Sequence, residues 1–418
     1  MSGLMVEAEP VDSVMEASTQ ITIVGGGVVG LILANALSRL DVTVTLIEKT
    51  ADQACGDGRA MALSYCSIAL LNALDLWAPI ADFSAAISTV RVSDRGHFGR
   101  VCLNAADEGL PFLGAVCKLK TLTAAAGDAL QKCQNVRVIA PATVADVIET
   151  DSSYALSVVR KGHAPSLIRP DAIIAADGAD SFIREKLGIG VTDHVYHQSA
   201  VVFDITLRRD HQSQAFEHFT DDGVIALLPV APNRLSCIWA MATDKAKRFI
   251  HKSKSQLITT FEQYFGYRLG KIMDITAAQC FPLKLVYADR LWDKNVLLFG
   301  NAAHFLHPVS AQGLNLSLRD IGALYDVISQ SPGEGFNLLF QRFSDNRLAD
   351  HRRTIALTHQ LMKLFNSEHT AIKHLRTLGL HFLHRNQRLK TLFSHLMMGK
   401  WTAGSTLLKM KGLMENGE

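Results

Sequence analysis

Residues 21–49, ITIVGGGVVGLILANALSRLDVTVTLIEK, decide the fold of the N-terminal part of this chain. The first four residues are β-branched and predict a buried strand, which a glycine-rich turn follows. Apolar residues then recur at helical spacing from Leu31 to Leu37, and a second apolar run ends at Ile47. The stretch therefore predicts a strand, a tight turn, a helix and a second strand, the βαβ unit that binds dinucleotides.

The glycines of this unit have separate predicted tasks. Gly25 allows the tight turn, Gly27 lets the backbone approach a pyrophosphate, and Gly30 lets the helix pack closely on the strand. Glu48 ends the second strand, 18 residues after Gly30, where a carboxylate can accept hydrogen bonds from an adenosine ribose. A glycine-rich turn in another kind of βαβ unit is the alternative, but the strand, helix and acid together favour a dinucleotide.

The nucleotide can be NAD or FAD. The chain has no second G-x-G-x-x-G motif and no redox-active cysteine pair, which excludes a two-nucleotide flavin reductase of the disulfide type. A simple NAD enzyme remains, as does a flavoenzyme that receives hydride without a second nucleotide-binding domain.

Composition narrows the class of protein. The 418 residues are 48% hydrophobic and 20% charged, as in globular proteins, and the net charge of +2 gives no support for nucleic-acid binding. Seven scattered cysteines without a C-x-x-C pair are typical of a reducing compartment. Residues 1–19 are acidic, so we expect a disordered leader rather than a secretory signal. No apolar stretch has the roughly 18 residues needed to span a bilayer.

Two further stretches carry polar residues at the ends of predicted strands. In GDGRAMALS, residues 56–64, Asp57 and Arg59 follow the second strand, and the arginine can contact a pyrophosphate with two hydrogen bonds. In AIIAADGADSFIREKLGI, residues 172–189, a strand ends just before Asp177, and a helix begins near Ser181. Taken alone, a surface loop and an ordinary Asp-Gly turn explain these stretches equally well.

Residues 296–320, VLLFGNAAHFLHPVSAQGLNLSLRD, predict a buried strand, a loop and a helix. A metal site, a catalytic histidine pair and a loop that holds a flat, electron-rich group are the alternatives. His304 and His307 lie three residues apart without an acidic or cysteine third ligand close in the sequence, so we predict no metal here.

Together these motifs resemble the single-component flavin-dependent aromatic hydroxylases of the para-hydroxybenzoate hydroxylase type. Within that group the chain is most similar to the ubiquinone-biosynthesis hydroxylases, and DGRAMALS, SDRGHFG, FEHFTDDGVIALLPV and LFGNAAHFLHPVSAQGLNLSLRD are most similar to the 2-polyprenyl-6-methoxyphenol hydroxylase branch. Asn301 supports that branch, because most relatives have aspartate there.

The resemblance implies an α/β fold: a Rossmann-like FAD-binding domain (GR2 type), an inserted, mostly antiparallel β-sheet substrate domain, and C-terminal helices. The implied boundaries are a leader at 1–19, an FAD-binding domain at 20–85, 113–190 and 283–345, a substrate domain at 86–112 and 191–282, and a helical region at 346–418.

The resemblance also assigns residues around the flavin. Gly25, Gly27, Gly30, Glu48, Arg59 and Asp177 are the predicted contacts of the dinucleotide, together with Asn301 for the ribityl chain. Pro308 fixes the chain beside the ring, and Gln312, Gly313, Leu314 and Asn315 begin a helix whose free N–H groups point at flavin N1 and C2. Gly313 is needed because a side chain would keep the ring away. Ser310-Ala311 departs from the family's Ala-Gly and puts the local backbone in question.

The implied reaction is hydroxylation of a polyprenylated phenol by O₂ through a flavin C4a-hydroperoxide, with NAD(P)H as electron donor. Leu227, Leu228 and Pro229 match the segment that lines the ring pocket in the family, although ordinary sheet core explains the leucines equally well. No residue stands out as the base that deprotonates the phenol; the candidates are four histidines, His97, His194, His197 and His218.

Residues 346–418 hold twelve Lys or Arg, four acids and no proline. We expect helices packed on the flavin domain with a solvated basic face, or alternatively a surface for an anionic membrane or another ubiquinone-biosynthesis protein. The protein is then cytoplasmic and peripheral to the inner membrane. A non-catalytic FAD-binding subunit, a hydroxylase of another small phenol and an NAD-dependent dehydrogenase are the alternative functions.

Overall fold

The structure is a computed structural model that describes residues 20–51, 58–97, 99–366, 370–400 and 405–409. The predicted leader and Asp57 lie outside the described residues. The opening stretch forms the predicted unit: strand β1 is Ile21–Val24, helix α1 is Val28–Leu37 and strand β2 is Val44–Ile47. Every residue of β1 and β2 is buried, as the apolar pattern predicts.

The other strands follow in chain order. They are β3 (Ala60–Ser64), β4 (Ala85–Ile87), β5 (Thr89–Asp94), β6 (Arg100–Asn104), β7 (Gly114–Lys118), β8 (Val136–Ile139), β9 (Thr143–Glu149), β10 (Tyr154–Val159), β11 (Ser166–Ile168), β12 (Ala172–Ala175), β13 (Val191–Leu207), β14 (Gln214–Thr220), β15 (Gly223–Ala231), β16 (Arg234–Ala242), β17 (Ile272–Ile275), β18 (Gln279–Ala288), β19 (Trp292–Asp293), β20 (Val296–Leu298) and β21 (His304–Phe305).

The other helices are α2 (Tyr65–Ala73), α3 (Ala78–Ala81), α4 (Leu119–Leu130), α5 (Phe182–Lys186), α6 (Thr243–Phe249), α7 (Lys254–Phe265), α8 (Gln312–Ser329), α9 (Phe336–Asn366), α10 (Thr370–Arg385), α11 (Gln387–Met398) and α12 (Thr406–Lys409). No helix in the described ranges is both long enough and apolar enough to cross a membrane.

A six-stranded sheet carries the predicted nucleotide turn. Its order is β19-β20-β12-β1-β2-β8, and all pairs are parallel except β19 with β20. Parallel strands leave their carboxyl ends on one edge, so the turns after β1, β2, β12 and β20 are brought together there. The four segments of sequence with predicted cofactor residues therefore converge, although the first and the last, after Val24 and Leu298, lie far apart along the chain.

A second, nine-stranded sheet follows the order β21-β18-β13-β16-β15-β14-β5-β6, with β17 also paired to β13. Most of its pairs are antiparallel, as expected for the inserted domain, and α6 and α7 cover one of its faces. The sheet also includes β21, and β18 extends beyond residue 282, so that predicted domain boundary falls inside a strand. The division into domains stays a prediction.

The C-terminal helices are present as predicted, but they pack differently. Helix α9 lies against α8 beside the six-stranded sheet, whereas α10 and α11 pack on the second sheet. Leu380 and Met398 are buried there with Val92 and Val101. The expectation that this region packs on the flavin domain holds for α9 and α12, which contacts α2 and α8, but not for α10 and α11, whose apolar sides cover the second sheet.

Candidate active site

The turn between β1 and α1 has a backbone that only glycine permits at two positions. Gly25 has φ +111°, and a Cβ atom there would lie 2.3 Å from the carbonyl oxygen of Ala176. A Cβ atom at Gly30 would lie 2.0 Å from the carbonyl oxygen of Gly25. These contacts place the tight turn and the close helix packing at the predicted glycines.

Gly27 differs from its neighbours because no atom lies within 4 Å of an added Cβ. It is the N-cap of α1, and no side chain caps the helix there. The unpaired N–H groups of the first turn of α1 are therefore not covered by a capping side chain, and a helix N-terminus of this kind attracts phosphate. The geometry fits the pyrophosphate of a dinucleotide.

Glu48 lies directly beside this turn. Its Oε2 accepts a 2.6 Å hydrogen bond from the Gly26 N–H, and its Oε1 accepts from the N–H and hydroxyl of Thr50. A Cβ atom at Gly26 would lie 2.8 Å from the Cβ of Glu48. Gly26, whose role the motif did not reveal, lets the acid approach the turn.

Asp177 has one partnered and one unpartnered oxygen. Its Oδ2 accepts from the Ile183 N–H at 3.1 Å, while Oδ1 is buried with no hydrogen-bond partner in the described residues. A buried carboxylate oxygen without a donor is costly, so a hydroxyl donor from a bound molecule is what this atom lacks. Arg59 is exposed, and its guanidinium lies 5.1 Å from the centre of the Phe281 ring.

The loop after β20 bends through left-handed backbone. Gly300 has φ +58°, and Asn301 is exposed in the short 3-10 turn that follows. Pro308 precedes a second such turn in which Ser310 has φ +58° and Ala311 has φ +50°. The Ser310-Ala311 departure thus does not prevent a left-handed backbone; it places two residues with side chains in a conformation that favours glycine.

Helix α8 begins at Gln312, as predicted, and its first turn faces open space. Its N-cap, Ala311, supplies no side-chain hydrogen bond, and no atom lies within 4 Å of a Cβ added at Gly313. Gln312 donates from Nε2 to the carbonyl oxygens of Ser310 and Met397 at 3.0 and 3.1 Å. Leu314 is buried. A flat ring could therefore approach the N–H groups of this turn at Gly313.

The Asn315 side chain, for which the motif predicted no role of its own, is held by the protein. Its Oδ1 accepts from the Ser64 N–H and the Ser67 hydroxyl, and its Nδ2 donates to the carbonyl oxygens of Ala62 and Ala311. All four hydrogen-bonding positions of the amide are filled by the protein. The side chain therefore fastens α8 to β3 and α2 and is not available to a cofactor.

The predicted pocket segment is divided between the two faces of β15. Leu227 is fully buried with Trp239 and Phe261 under α6 and α7, and Pro229 lies on that same strand face. Leu228 faces the other side, towards Ala60 and Val116. Leu227 thus lies in the sheet core, the alternative that the sequence left open for it, while Leu228 faces the other side because successive side chains of a strand point to opposite faces.

The open face of this sheet is apolar. Alternate residues on β13, β15 and β16 are only partly buried, although they lie in the interior of the sheet; they are Val202, Ala226, Leu228 and Ile238. At its margins this face packs against β3 and β7 and against the C-terminal helices. Val309, just before α8, belongs to the same apolar cluster as Val202 and Ile238.

His304 does have an acidic neighbour, contrary to the sequence-based argument. Its Nε2 lies 3.0 Å from Asp320 on α8, and His351 on α9 lies 2.9 Å from the same carboxylate. Arg347 donates from Nε to Asp320 at 2.6 Å and also pairs with Asp350. Burial would raise the pKa of Asp320, but His351, Arg347 and His304 hold that pKa well below its usual range.

This group could hold a metal by geometry, since the three ligand atoms lie within 4.8 Å of one another. Arg347 already supplies a positive charge to the carboxylate, and Arg319 and Arg347 balance Asp320 and Asp350. We therefore interpret it as a buried ion network that joins β21, α8 and α9. The prediction that the protein binds no metal stays a prediction, now resting on charge balance.

One histidine candidate for the catalytic base loses its support. His218 is buried, with Nδ1 2.8 Å from the Ser93 hydroxyl and Nε2 3.2 Å from the Tyr264 carbonyl. Burial lowers its pKa to about 4, so the ring stays neutral. His194 and His197 are exposed on β13. The neighbouring Glu217, which belongs to none of the candidate residues, points to the opposite face of the sheet from His218.

Comparisons with known proteins identify the family of the chain. Residues 18–357 match the family described as FAD binding domain. The chain is 30% identical over 408 residues to the ubiquinone hydroxylase UbiL of Rhodospirillum rubrum, covering 94% of this chain and 93% of that protein. It is 31% identical over 343 residues to the 3-demethoxyubiquinol 3-hydroxylase of Escherichia coli, covering 80% and 86%.

Among solved structures, a probable FAD-dependent monooxygenase from Pseudomonas aeruginosa, PqsL, superposes with a TM-score of 0.74 at 17% identity, covering 87% of this chain and 100% of that one. At this identity the likeness concerns the fold alone.

Proposed function

The chain belongs to the FAD-binding-domain family that includes the ubiquinone hydroxylases, and we propose that it hydroxylates the aromatic ring of a polyprenylated phenol in ubiquinone biosynthesis. The observation that carries the proposal is the open space at Gly313, at the start of α8, next to a sheet whose near face is apolar and partly accessible. An open helix start beside a partly accessible apolar face suits a flavin ring and an apolar phenol.

The residues present fit FAD. Gly27 leaves room for the pyrophosphate, Glu48 lies where the ribose would bind, and the unpartnered oxygen of Asp177 needs a hydroxyl donor. Asn301 is accessible to the ribityl chain, and Gly313 opens the first turn of α8 to the ring. When bound, the flavin takes electrons from NAD(P)H and supplies the reactive oxygen from O₂.

The chain itself positions the reactants, excludes water from them and stabilises negative charge. The N–H groups at the start of α8 stabilise negative charge at the edge of a ring that lies against them. The apolar face that contains Val202, Leu228 and Ile238 excludes water and receives the aromatic part of the substrate. The bound phenol is thus held between an apolar wall and the helix end.

Purified protein tests the proposal directly. We expect about one FAD per chain, NAD(P)H oxidation stimulated by 2-prenyl-6-methoxyphenol, and a product heavier by one oxygen atom. Stoichiometric FAD without turnover of any prenylated phenol would instead favour the non-catalytic subunit. Profiling quinone intermediates in a deletion strain tests the finer assignment to the 2-polyprenyl-6-methoxyphenol branch, since the precursor that accumulates identifies the blocked ring position.

We further propose that α10 contacts an anionic membrane, from which the polyprenyl substrate comes. Leu375, Leu378 and Phe382 are 66%, 65% and 63% exposed and recur at helical spacing along one face. The opposite face is fixed, because Leu380 is buried and Arg376 pairs with Asp94 at 2.6 Å. These three residues are named the apolar stripe.

Charge around the apolar stripe matches such a membrane. Residues 370–400 contain no Asp or Glu, and the exposed Arg385 and Arg388 follow the stripe. Basic residues beside an apolar helix face are typical of peripheral attachment to anionic lipid. Helix α11, which follows α10, is joined to the start of α8 through the Gln312 contact with Met397. The stripe therefore lies on the helical pair that reaches the flavin helix.

A further inference from the structure

Glu217 is an acid in the interior of a sheet, on strand β14. Its neighbours Phe216 and His218 face α7, where both contact Phe265. Glu217 therefore points to the opposite face, the one that carries Ala226 and Leu228. The neighbours of Glu217 on this face are apolar, so its carboxyl group finds no polar partner among them and is not needed for the packing of the sheet.

The carboxyl group of Glu217 has one protein partner. The Ser310 N–H donates to its Oε1 at 3.2 Å, and no Lys, Arg or His in the described part of the chain pairs with it. Ser310 belongs to the turn that leads into α8, so the carboxyl lies next to the start of the flavin helix. Its other oxygen is available to a ligand.

The side chain of Glu217 is only partly buried, whereas Phe216 and His218 on either side of it are buried. It is surrounded by protein on all sides, yet its surface is partly accessible. Burial raises its pKa to about 7, against a smaller lowering effect of the Ser310 N–H. The carboxyl is therefore a stronger base than an exposed glutamate.

Other charged groups that share this face of the sheet are paired. Asp94 on β5 is bound to Arg376 of α10 at 2.6 Å, and Asp204 on β13 is bound to Lys118 and Arg234. The nearest residues of β15 and of the turn, Ala226 and Ser310, carry no charge. On α11, His395 pairs with Glu108. The pKa of Glu217 is thus set by burial and by the Ser310 N–H and not by a neighbouring charge.

Resting on the proposed function, we propose that Glu217 is a catalytic residue that accepts the hydrogen bond of the substrate's phenolic hydroxyl and takes its proton. In this step the phenol O–H bond breaks, its electron pair stays on the phenol oxygen, and a new O–H bond forms on the carboxylate. The products are a phenolate and a neutral carboxylic acid, and nothing is oxidised or reduced. The phenolate pushes electron density into the ring and activates it towards an electrophilic oxygen.

Glu217→Gln separates this role from a structural one. The amide has the same shape, and its oxygen can still accept from the Ser310 N–H, so the turn before α8 should be retained. It cannot take a proton at neutral pH. Glu262→Gln is the matched control, because Glu262 lies on α7 over the other face of the same sheet. Full-length FAD-loaded protein is used throughout.

The first measurement is binding of 2-prenyl-6-methoxyphenol without turnover. Wild-type affinity should rise as pH increases from about 6 to 8, because ionised Glu217 is the better acceptor of the phenolic proton. The Glu217→Gln protein should bind with an affinity that does not change over this range. The Glu262→Gln protein should follow the wild type.

The second measurement is turnover against pH. Loss of the base should lower kcat by about a hundredfold or more at pH 7, the usual contribution of a positioned base. Activity of Glu217→Gln should recover towards pH 10, near the ordinary pKa of a phenol, where the substrate ionises by itself. A Glu217→Gln protein with wild-type pH dependence of both binding and kcat would overturn the proposal and leave only the contact with Ser310.

Failure of the proposed function gives a different result. If the wild type binds no prenylated phenol at any pH, both proposals are wrong. If it binds and hydroxylates the phenol while Glu217→Gln behaves like Glu262→Gln, only the role of Glu217 is wrong.

Discussion

Ala311 shows that a residue with a side chain can occupy a position at which the family uses glycine. Its φ of +50° brings Cβ close to the backbone, which costs about 1 kcal/mol. We expect Ala311→Gly to raise the free energy of unfolding by about 0.5–1 kcal/mol, after allowance for the more flexible unfolded chain. Denaturant unfolding measures this. Ala303→Gly is the control, because Ala303 has φ −87° and should lose stability.

Glu217 should make stability depend on pH. Its pKa is raised in the folded protein from 4.5 to about 7, so the unfolded chain releases this proton first as pH rises. The loss of stability that comes from ionising the buried carboxyl is absent below about pH 4.5. It grows as the pH rises towards 7 and is complete above pH 7. We expect Glu217→Gln apoprotein to be more stable than wild type at pH 8, by at most about 3 kcal/mol. Equal stability at pH 8 would contradict the raised pKa.

Individual residues were predictable where one local conformation requires one residue type. Gly25 and Gly30 belong to this kind, because their backbone contacts follow from the turn itself. Asn315 and Glu217 were not, because their roles depend on partners 93 to 253 residues away. For Leu227 and Leu228 the sequence left pocket and core open, because a motif gives a position in the chain but not the direction of a side chain.

Helix α8 is the element on which both proposed sites depend. Near its start Asn315 is fastened to β3 and α2, and in its middle Asp320 is held by Arg347 and His351. Near its end Asp326 accepts from Ser405. A helix fixed along its length can present its first turn to a ring in a constant position.

Gly313→Val tests whether that first turn faces the flavin. No protein atom lies within 4 Å of the added Cβ, so we expect the apoprotein to keep most of its stability. The branched side chain should displace the ring, lower the affinity for FAD and lower hydroxylation by about a hundredfold. NAD(P)H oxidation should then yield hydrogen peroxide instead of hydroxylated phenol. FAD titration and product-to-NADH ratios measure both effects.

Ser310→Ala is the control for this variant, because Ser310 contacts Glu217 through its backbone N–H and alanine keeps that group. It should change little. Normal FAD affinity together with wild-type coupling in Gly313→Val would mean that α8 does not face the ring.

Whole elements were predictable where apolar periodicity is strong. The β1, α1 and β2 unit and the start of α8 at Gln312 are confirmed, although α1 begins at Val28, before the apolar repeat that starts at Leu31. The packing of α10 and α11 was not predictable, because an amphipathic helix shows which face it buries but not against which sheet. The ion pair between Arg376 and Asp94 joins residues that are 282 positions apart, so no local sequence pattern predicts this pair.

At the scale of the whole molecule, the C-terminal helices close the space between the two sheets. Met398 is buried on the second sheet, and the carbonyl oxygen of Met397 accepts from Gln312 at the start of α8. Truncation of this region would therefore damage the site as well as any outer surface. Surface substitutions are the sharper test of membrane contact.

We expect the triple variant Leu375→Ser, Leu378→Ser, Phe382→Ser to lose binding to liposomes that contain phosphatidylglycerol. Fully burying one such side chain contributes about 1.5–3 kcal/mol, so even shallow insertion of three should weaken binding at least tenfold when lost. The side chains are more than 60% exposed, so FAD content and turnover of a short-chain soluble phenol should stay at wild-type values. Co-sedimentation with liposomes measures the first effect and steady-state kinetics the second.

Two matched controls test whether the loss of liposome binding comes from membrane contact at α10 or from a general loss of exposed apolar side chains. Phe83→Ser with Tyr267→Ser removes side chains that are 70% and 76% exposed elsewhere and should leave sedimentation unchanged. Arg385→Glu with Arg388→Glu should weaken binding at low salt and much less at high salt, because exposed charges are screened within about 10 Å at 0.1 M salt. If the triple variant binds the liposomes as well as the wild type, the apolar stripe faces water, and the polyprenyl substrate enters the cavity without help from α10.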